Sequence, residues 1–158
     1  MSVRPARPED VPAILAMVRQ LAEYERAAAE VQANEEQLAA ALFADRPALF
    51  GHVAEDEAGG VVGFALWFLN FSTWLGRHGI YLEDLYVRPA ARGQGHGRAL
   101  LSELARIAVQ RGYGRLEWWV LDWNEPALSF YRSLAAVPMD EWTVHRVTGN
   151  ALRTLAEP

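Results

Sequence analysis

The six residues Arg92-Gly93-Gln94-Gly95-His96-Gly97 carry the clearest chemical signal in the chain. Three glycines alternating with side-chain-bearing residues let a backbone take positive φ and aim its N–H groups into one concavity. Leu100, Leu101, Leu104, Ala105 and Ala108 then recur at helical spacing through Arg111. The turn therefore stands at a helix N-terminus, where free amides and the helix dipole favour an anion. Arg88, Arg92 and Arg98 flank it, and guanidinium groups suit a pyrophosphate. A phosphate-bearing ligand is implied. A triphosphate P-loop is excluded in practice, because that motif ends in Gly-Lys-Ser/Thr and this chain has no lysine. The dinucleotide fingerprint G-x-G-x-x-G also fails: the third glycine comes one residue early, and no acidic residue follows a second strand at the required distance.

A second chemical candidate lies just upstream. On a regular strand Tyr81, Glu83, Leu85 and Val87 share one face, so Glu83 interrupts an apolar row while Asp84 points the other way. A buried carboxylate without a partner is costly. Glu83 either satisfies an arginine structurally or faces a wet pocket where a cation or a proton-transfer water meets it.

These residues need elements to hold them. Tyr81 to Val87 has the aromatic and aliphatic composition of a strand, which Pro89 ends. The helix from Gly97 to Arg111 crosses over to a strand at Leu116 to Val120, with Gly112 and Gly114 at its end. Upstream, Val3 to Arg7 reads as a short strand. A helix follows Asp10 as N-cap and runs toward Tyr24, and Asn34 caps another carrying Leu38, Ala41 and Leu42. Leu49 to Val53 and Val61 to Leu69 form a hairpin around Glu55 to Gly60. Downstream, Asn124 or Asp122 caps a helix with Pro126 in its first turn and Leu128, Phe130, Tyr131 and Leu134 along it. A last strand at Thr143 to Val147 and a frayed helical turn after Asn150 complete the order. The result is an α+β arrangement on a mostly antiparallel sheet with one parallel crossover, in a single domain spanning residues 1–158.

Composition narrows the function. No cysteine removes disulfides, thiolate metal sites and covalent thioester intermediates. All fifteen basic residues are arginine, so Schiff-base and acyl-lysine chemistry are excluded. His52, His78, His96 and His145 lack ligand spacing, and no metal is expected. A net charge of −5 opposes nucleic-acid binding and is compatible with a cationic substrate. No apolar run is long enough for a bilayer and no secretory leader is evident, so the expectation is a cytoplasmic protein without membrane partners.

The loop Arg92-x-x-Gly95-x-Gly97 after the strand Leu82-Glu83-Asp84-Leu85-Tyr86-Val87-Arg88-Pro89 resembles the coenzyme A loop of the GCN5-related N-acetyltransferases. The blocks LAEYE (Leu21 to Glu25), VVGFALWF (Val61 to Phe68), TWLGR (Thr73 to Arg77), YLEDLYV (Tyr81 to Val87), RGQGHG (Arg92 to Gly97) and WNEPALSFY (Trp123 to Tyr131) resemble, in order and spacing, its spermidine/spermine and thialysine branch.

The resemblance implies that fold, with helices on both sheet faces, and acetyl-CoA as co-substrate. It implies that Leu85, Tyr86 and Val87 meet the pantetheine arm and Gly93, Gln94, Gly95, His96, Gly97 and Arg98 hold the pyrophosphate. Asn124, Glu125, Pro126 and Ala127 would hold the far side of the coenzyme. Tyr131 matches the general acid and Glu83 a substrate-side carboxylate. Tyr24 and Glu25, a solvated helix end by composition, match the amine channel, and Trp74 lies in a matching loop. The acidic residue of the C-terminal substrate segment falls on Asp140 or Glu141. The implied reaction is direct acetyl transfer to a diamine, polyamine or lysine-like amino acid, in a homodimer. Acetylation of a protein amine and a coenzyme-binding regulatory module are the alternatives. One departure stands out: Ala135 occupies a position where the family has glycine, and a left-handed residue there costs on the order of 1 kcal/mol relative to glycine.

Overall fold

The computed structural model describes residues 1–157. The described chain falls into two compact units, Met1–Trp119 and a second beginning at Val120.

In the first unit the strands are β1 (Ser2–Pro5), β2 (Phe50–Glu55), β3 (Val61–Ser72), β4 (Arg77–Val87) and β5 (Leu116–Trp118). They form one sheet in the order β1-β2-β3-β4-β5. The first three pairings are antiparallel and β4–β5 is parallel. The helices are α1 (Val11–Tyr24), α2 (Glu35–Phe43) and α3 (His96–Gln110), and α3 makes the crossover into β5. α1 and α2 cover one face, where Ile14, Met17, Leu38 and Leu42 pack with Val53, Phe64, Leu66 and Tyr86. α3 covers the other, its buried Leu100, Leu104 and Ile107 facing the side that carries His52, Ala54, Ala65 and Trp67. His52 belongs to that core: Trp67 Nε1 donates to its Nδ1 at 3.1 Å, and burial holds the imidazole below its usual pKa.

Local chemistry explains the start of α2, while α1 departs from the sequence expectation. Asn34 Oδ1 accepts the Gln37 N–H and Gln37 Oε1 accepts the Asn34 N–H, a reciprocal cap for α2. Asp10 does not cap α1. Its carboxylate accepts the Arg7 N–H and pairs with Arg4, which also binds Glu55, so it ties a one-turn 3₁₀ helix to β1 and β2.

The second unit contains α4 (Glu125–Arg132) and α5 (Gly149–Ala156). The strand expected at Thr143 to Val147 is absent. A strand needs a hydrogen-bonding neighbour, and the described residues of this unit form only helices and connections. β5 also stops two residues short of the expected Val120, and the C-terminal turn is a full eight-residue helix.

Candidate active site

β4 carries the first part of the site, and its register corrects the sequence reading. Leu66 pairs with Asp84 but Trp67 pairs with Leu82, so Glu83 is an extra residue in a β-bulge. The alternation expected for Tyr81, Glu83, Leu85 and Val87 therefore breaks at Glu83. Asp84 and Tyr86 pair with Leu66 and Phe64, on the face covered by α1, and Tyr81 joins that face through its partner Phe68. Glu83 is exposed and not part of a buried row.

The bulge also places charge. Asp84 is pushed up to about 6, first by burial, then by the neighbouring Glu83 and Glu25 carboxylates. Burial raises Glu25 as well. Tyr81 is pushed up to about 12 by burial and by the Glu83 and Glu117 charges. Glu25 at the end of α1 and Glu83 on β4 thus both act on Asp84. Sequence reasoning missed Asp84; its signal was the doublet Glu83-Asp84, whose regular alternation the bulge breaks.

β4 is also open where chemistry would need it. β5 pairs only with Ile80, Tyr81 and Leu82, so from Glu83 onward the outer edge of β4 has no strand neighbour among the described residues. The Arg88 N–H donates to Val62 O, which fixes the antiparallel alternation. Tyr86 and Asp84 then direct their N–H groups to β3, while Leu85 and Val87 present N–H and C=O to the open edge.

The glycine loop follows. A 3₁₀ turn at Pro89–Ala91 leads into Gly93 (φ 75°) and Gly95 (φ 88°), both left-handed, and Gly95 is the N-cap of α3. Gly97 lies inside the helix, so only two of the three glycines serve the turn. The first amides of α3 are left without intrahelical acceptors at the loop's end. Around them the side chains are committed differently. Gln94 Nε2 donates to Ala90 O at 3.3 Å. Arg92 Nε donates to Val87 O at 3.0 Å, and its guanidinium lies 5.6 Å from the Tyr24 ring centre and 5.5 Å from that of Tyr86. His96 is buried at the head of the apolar stripe of α3, with Nδ1 unpaired, and the buried Arg88 Nε is also unpaired.

The first unit thus gathers Tyr24, Glu25, Glu83, Leu85, Tyr86, Val87 and the loop from Arg92 to Arg98 around one end of β4. Trp74 stands apart. It sits in the β3–β4 turn at the opposite end of that strand and is 85% exposed.

In the second unit the expected cap is present: Asn124 is buried and its Oδ1 accepts the Ala127 N–H at 3.4 Å. Glu125, Pro126 and Ala127 fill the first turn of α4 and Tyr131 its last, half-buried with Phe130 at 5.5 Å between ring centres. Asp140 is exposed. Ala135 takes φ 60°, as expected for a residue in the glycine position. Its N–H donates to Arg132 O and the Ala136 N–H to Tyr131 O, a Schellman cap built without glycine. Among the described residues no group of three or more acidic, histidine or cysteine side chains is arranged for a metal ion.

Residues 15–135 match the family model described as acetyltransferase (GNAT) family. The thialysine N-epsilon-acetyltransferase of Bos taurus is 40% identical over 164 residues, covering 98% of this chain and 96% of its own. An L-ornithine N5-acetyltransferase of Arabidopsis thaliana is 32% identical, covering 97% and 86%. Among solved structures, an integron cassette protein from the mobile metagenome of V. cholerae superposes with a TM-score of 0.81 at 27% identity, covering 99% of this chain and 98% of that one.

Proposed function

The chain belongs to the acetyltransferase (GNAT) family, and on that premise we propose that it moves an acetyl group from acetyl-CoA directly to a primary amine of a small cationic substrate: a diamine, a polyamine or a lysine-like amino acid. The observation that carries this reading is the cluster of Glu25, Glu83 and Asp84 beside the open edge of β4. The names of the thialysine and ornithine enzymes support it.

The chemistry assigns work to each group. A primary alkylamine has a pKa of about 10 by analogy with lysine, so it arrives as an ammonium and must lose a proton before it attacks a thioester. Three carboxylates draw the ammonium in, and Asp84, titrating at about 6, is ionised at neutral pH to hold it. Glu83 takes the proton, directly or through water. Attack on the thioester carbonyl makes an oxyanion, for which the Val87 N–H at the open edge is the donor; the Tyr86 N–H is turned toward β3. Collapse expels a thiolate. Tyr131 supplies its proton, a role that rests on the sequence motif.

Acetyl-CoA fits the donors present. The Leu85 and Val87 edge suits an amide-bearing arm, and the left-handed glycines with the first amides of α3 suit a pyrophosphate. Asn124 to Ala127 are carried over from the motif alone. The match from 15 to 135 extends past Val120 into the second unit, which supports treating the chain as one domain. A homodimer belongs to the same proposal. Trp74 matches a substrate loop yet stands at the wrong end of its own β4, so a second copy is the natural source of that side chain.

Thiol release from acetyl-CoA, measured against putrescine, spermidine, lysine, thialysine and a basic peptide, is the test. Turnover on a free amine, lowered at least tenfold by Glu83→Gln, Asp84→Asn and Tyr131→Phe, is the expected result. Turnover confined to the peptide, or coenzyme binding with no turnover, overturns the reading. Ala135 favours the second case, since a strained cap at the end of α4 bears directly on Tyr131.

A further inference from the structure

Arg92 opens the glycine loop, but its guanidinium turns back toward the helix and sheet. It lies within 5.6 Å of two aromatic ring centres, Tyr24 at the end of α1 and Tyr86 on β4, while Nε holds the Val87 carbonyl at 3.0 Å. A group serving only as positive charge for a phosphate has no need of this arrangement. A guanidinium that lies over two rings while its Nε donates a hydrogen bond does, and lysine, with no Nε–H, cannot reproduce it.

Each contact leads to a different part of the site. Val87 O lies on the open edge of β4, where an incoming amide-bearing ligand would seek its acceptor. Tyr24 is followed by Glu25, whose charge raises Asp84. The end of α1 is itself fixed: Arg26 takes φ 61°, its N–H donates to Glu23 O and the Ala27 N–H donates to Ala22 O, a second Schellman cap without glycine. Tyr24 and Glu25 are therefore carried as one piece, and a change in the Arg92 guanidinium reaches both.

We propose that Arg92 is a positioning residue that couples the coenzyme loop to the carboxylate cluster: occupation of the β4 edge takes over the Val87 carbonyl, re-aims the guanidinium held between Tyr24 and Tyr86, and sets Glu25 against Asp84 for the amine. This rests on the function proposed above. Coupling is reciprocal, so a change at Tyr24, on the amine side, must alter coenzyme affinity.

The test is a double-substitution cycle read by the Kd of coenzyme A, the free thiol, in calorimetry, with amine KM measured beside it. Tyr24 is 39% exposed, so its replacement leaves the core intact. Tyr24→Leu removes the ring and weakens coenzyme A binding about five- to tenfold, with a rise in amine KM. Tyr24→Phe, which keeps the ring, restores both. In an Arg92→Lys background, Tyr24→Leu adds less than about twofold, because the stack is already gone. Additive losses in the double variant, or a coenzyme A affinity unmoved by Tyr24→Leu, overturn the coupling. Wild-type binding of coenzyme A without amine turnover overturns the proposed function alone, and the cycle still decides the coupling. No binding by the wild type overturns both.

Discussion

Asp84 is held in the fold at an energetic cost that goes with the proposed amine site. A carboxyl raised from its ordinary 3.8 to about 6 favours its neutral form in the folded chain. The linkage sign follows: the folded state binds the extra proton, so stability is greatest below about 3.8 and is lost as pH rises through about 6. Above that, the ionised group costs at most about 3 kcal/mol. Asp84→Asn is therefore expected to raise stability at pH 8 by up to that amount in urea unfolding, while its kcat/KM for the amine falls. The wild-type kcat/KM should itself drop as pH decreases through about 6, because protonated Asp84 no longer attracts an ammonium; a flat profile from pH 5 to 8 contradicts the assignment. Glu83 has the converse signature. It is exposed, so Glu83→Gln should change turnover with less than about 0.5 kcal/mol effect on unfolding.

At the scale of elements, the cap of α4 offers the sharpest test. Ala135 at φ 60° carries a methyl group into a conformation that only glycine adopts freely. Ala135→Gly should stabilise the protein by about 1 kcal/mol, and Ala135→Val, β-branched in the same position, should destabilise it by more than that in the same urea titration. This strain was legible beforehand through the resemblance, which sets glycine where this chain has Ala135, and because a helix cap is a local matter. The glycine loop, the α3 crossover and the Asn34 and Asn124 caps were legible for similar reasons: each is a short segment whose partners are its own neighbours. The bulge at Glu83 was not. It depends on how Leu66 and Trp67 of β3 pair across the sheet, which no periodicity within β4 records, and it moved the carboxylate of interest from Glu83 alone to Glu83 with Asp84. The final strand failed for a related reason: Thr143 to Val147 alternates like a strand, but a ladder is a property of two segments.

At the scale of the molecule, the second unit leaves Met139, Trp142, Val144 and Val147 between 48% and 78% exposed together with Val137. The proposed homodimer would give such exposed apolar side chains a partner, and light scattering at a monomer mass would count against it. Composition yields a last expectation tied to the reaction. A protein that binds a thioester beside a general base risks acylating itself, and the stable acceptors are amines. Here the chain has no lysine and no cysteine, and its fifteen arginines stay protonated at any working pH and do not attack a thioester. Tyr81, pushed up to about 12, is a still weaker nucleophile than an ordinary tyrosine at neutral pH. No side chain here offers an amine or a thiol that could hold an acetyl stably. Prolonged incubation with excess acetyl-CoA should leave every side chain without a stable acetyl group by peptide mass spectrometry, and should leave turnover and the net side-chain charge of −5 unchanged. A stable acetyl group on any side chain would show an acceptor that these residues do not provide. Its absence fits the proposed reaction, in which Arg88, Arg92 and Arg98 keep their charge beside a reactive acetyl donor because arginine stays protonated and does not attack a thioester.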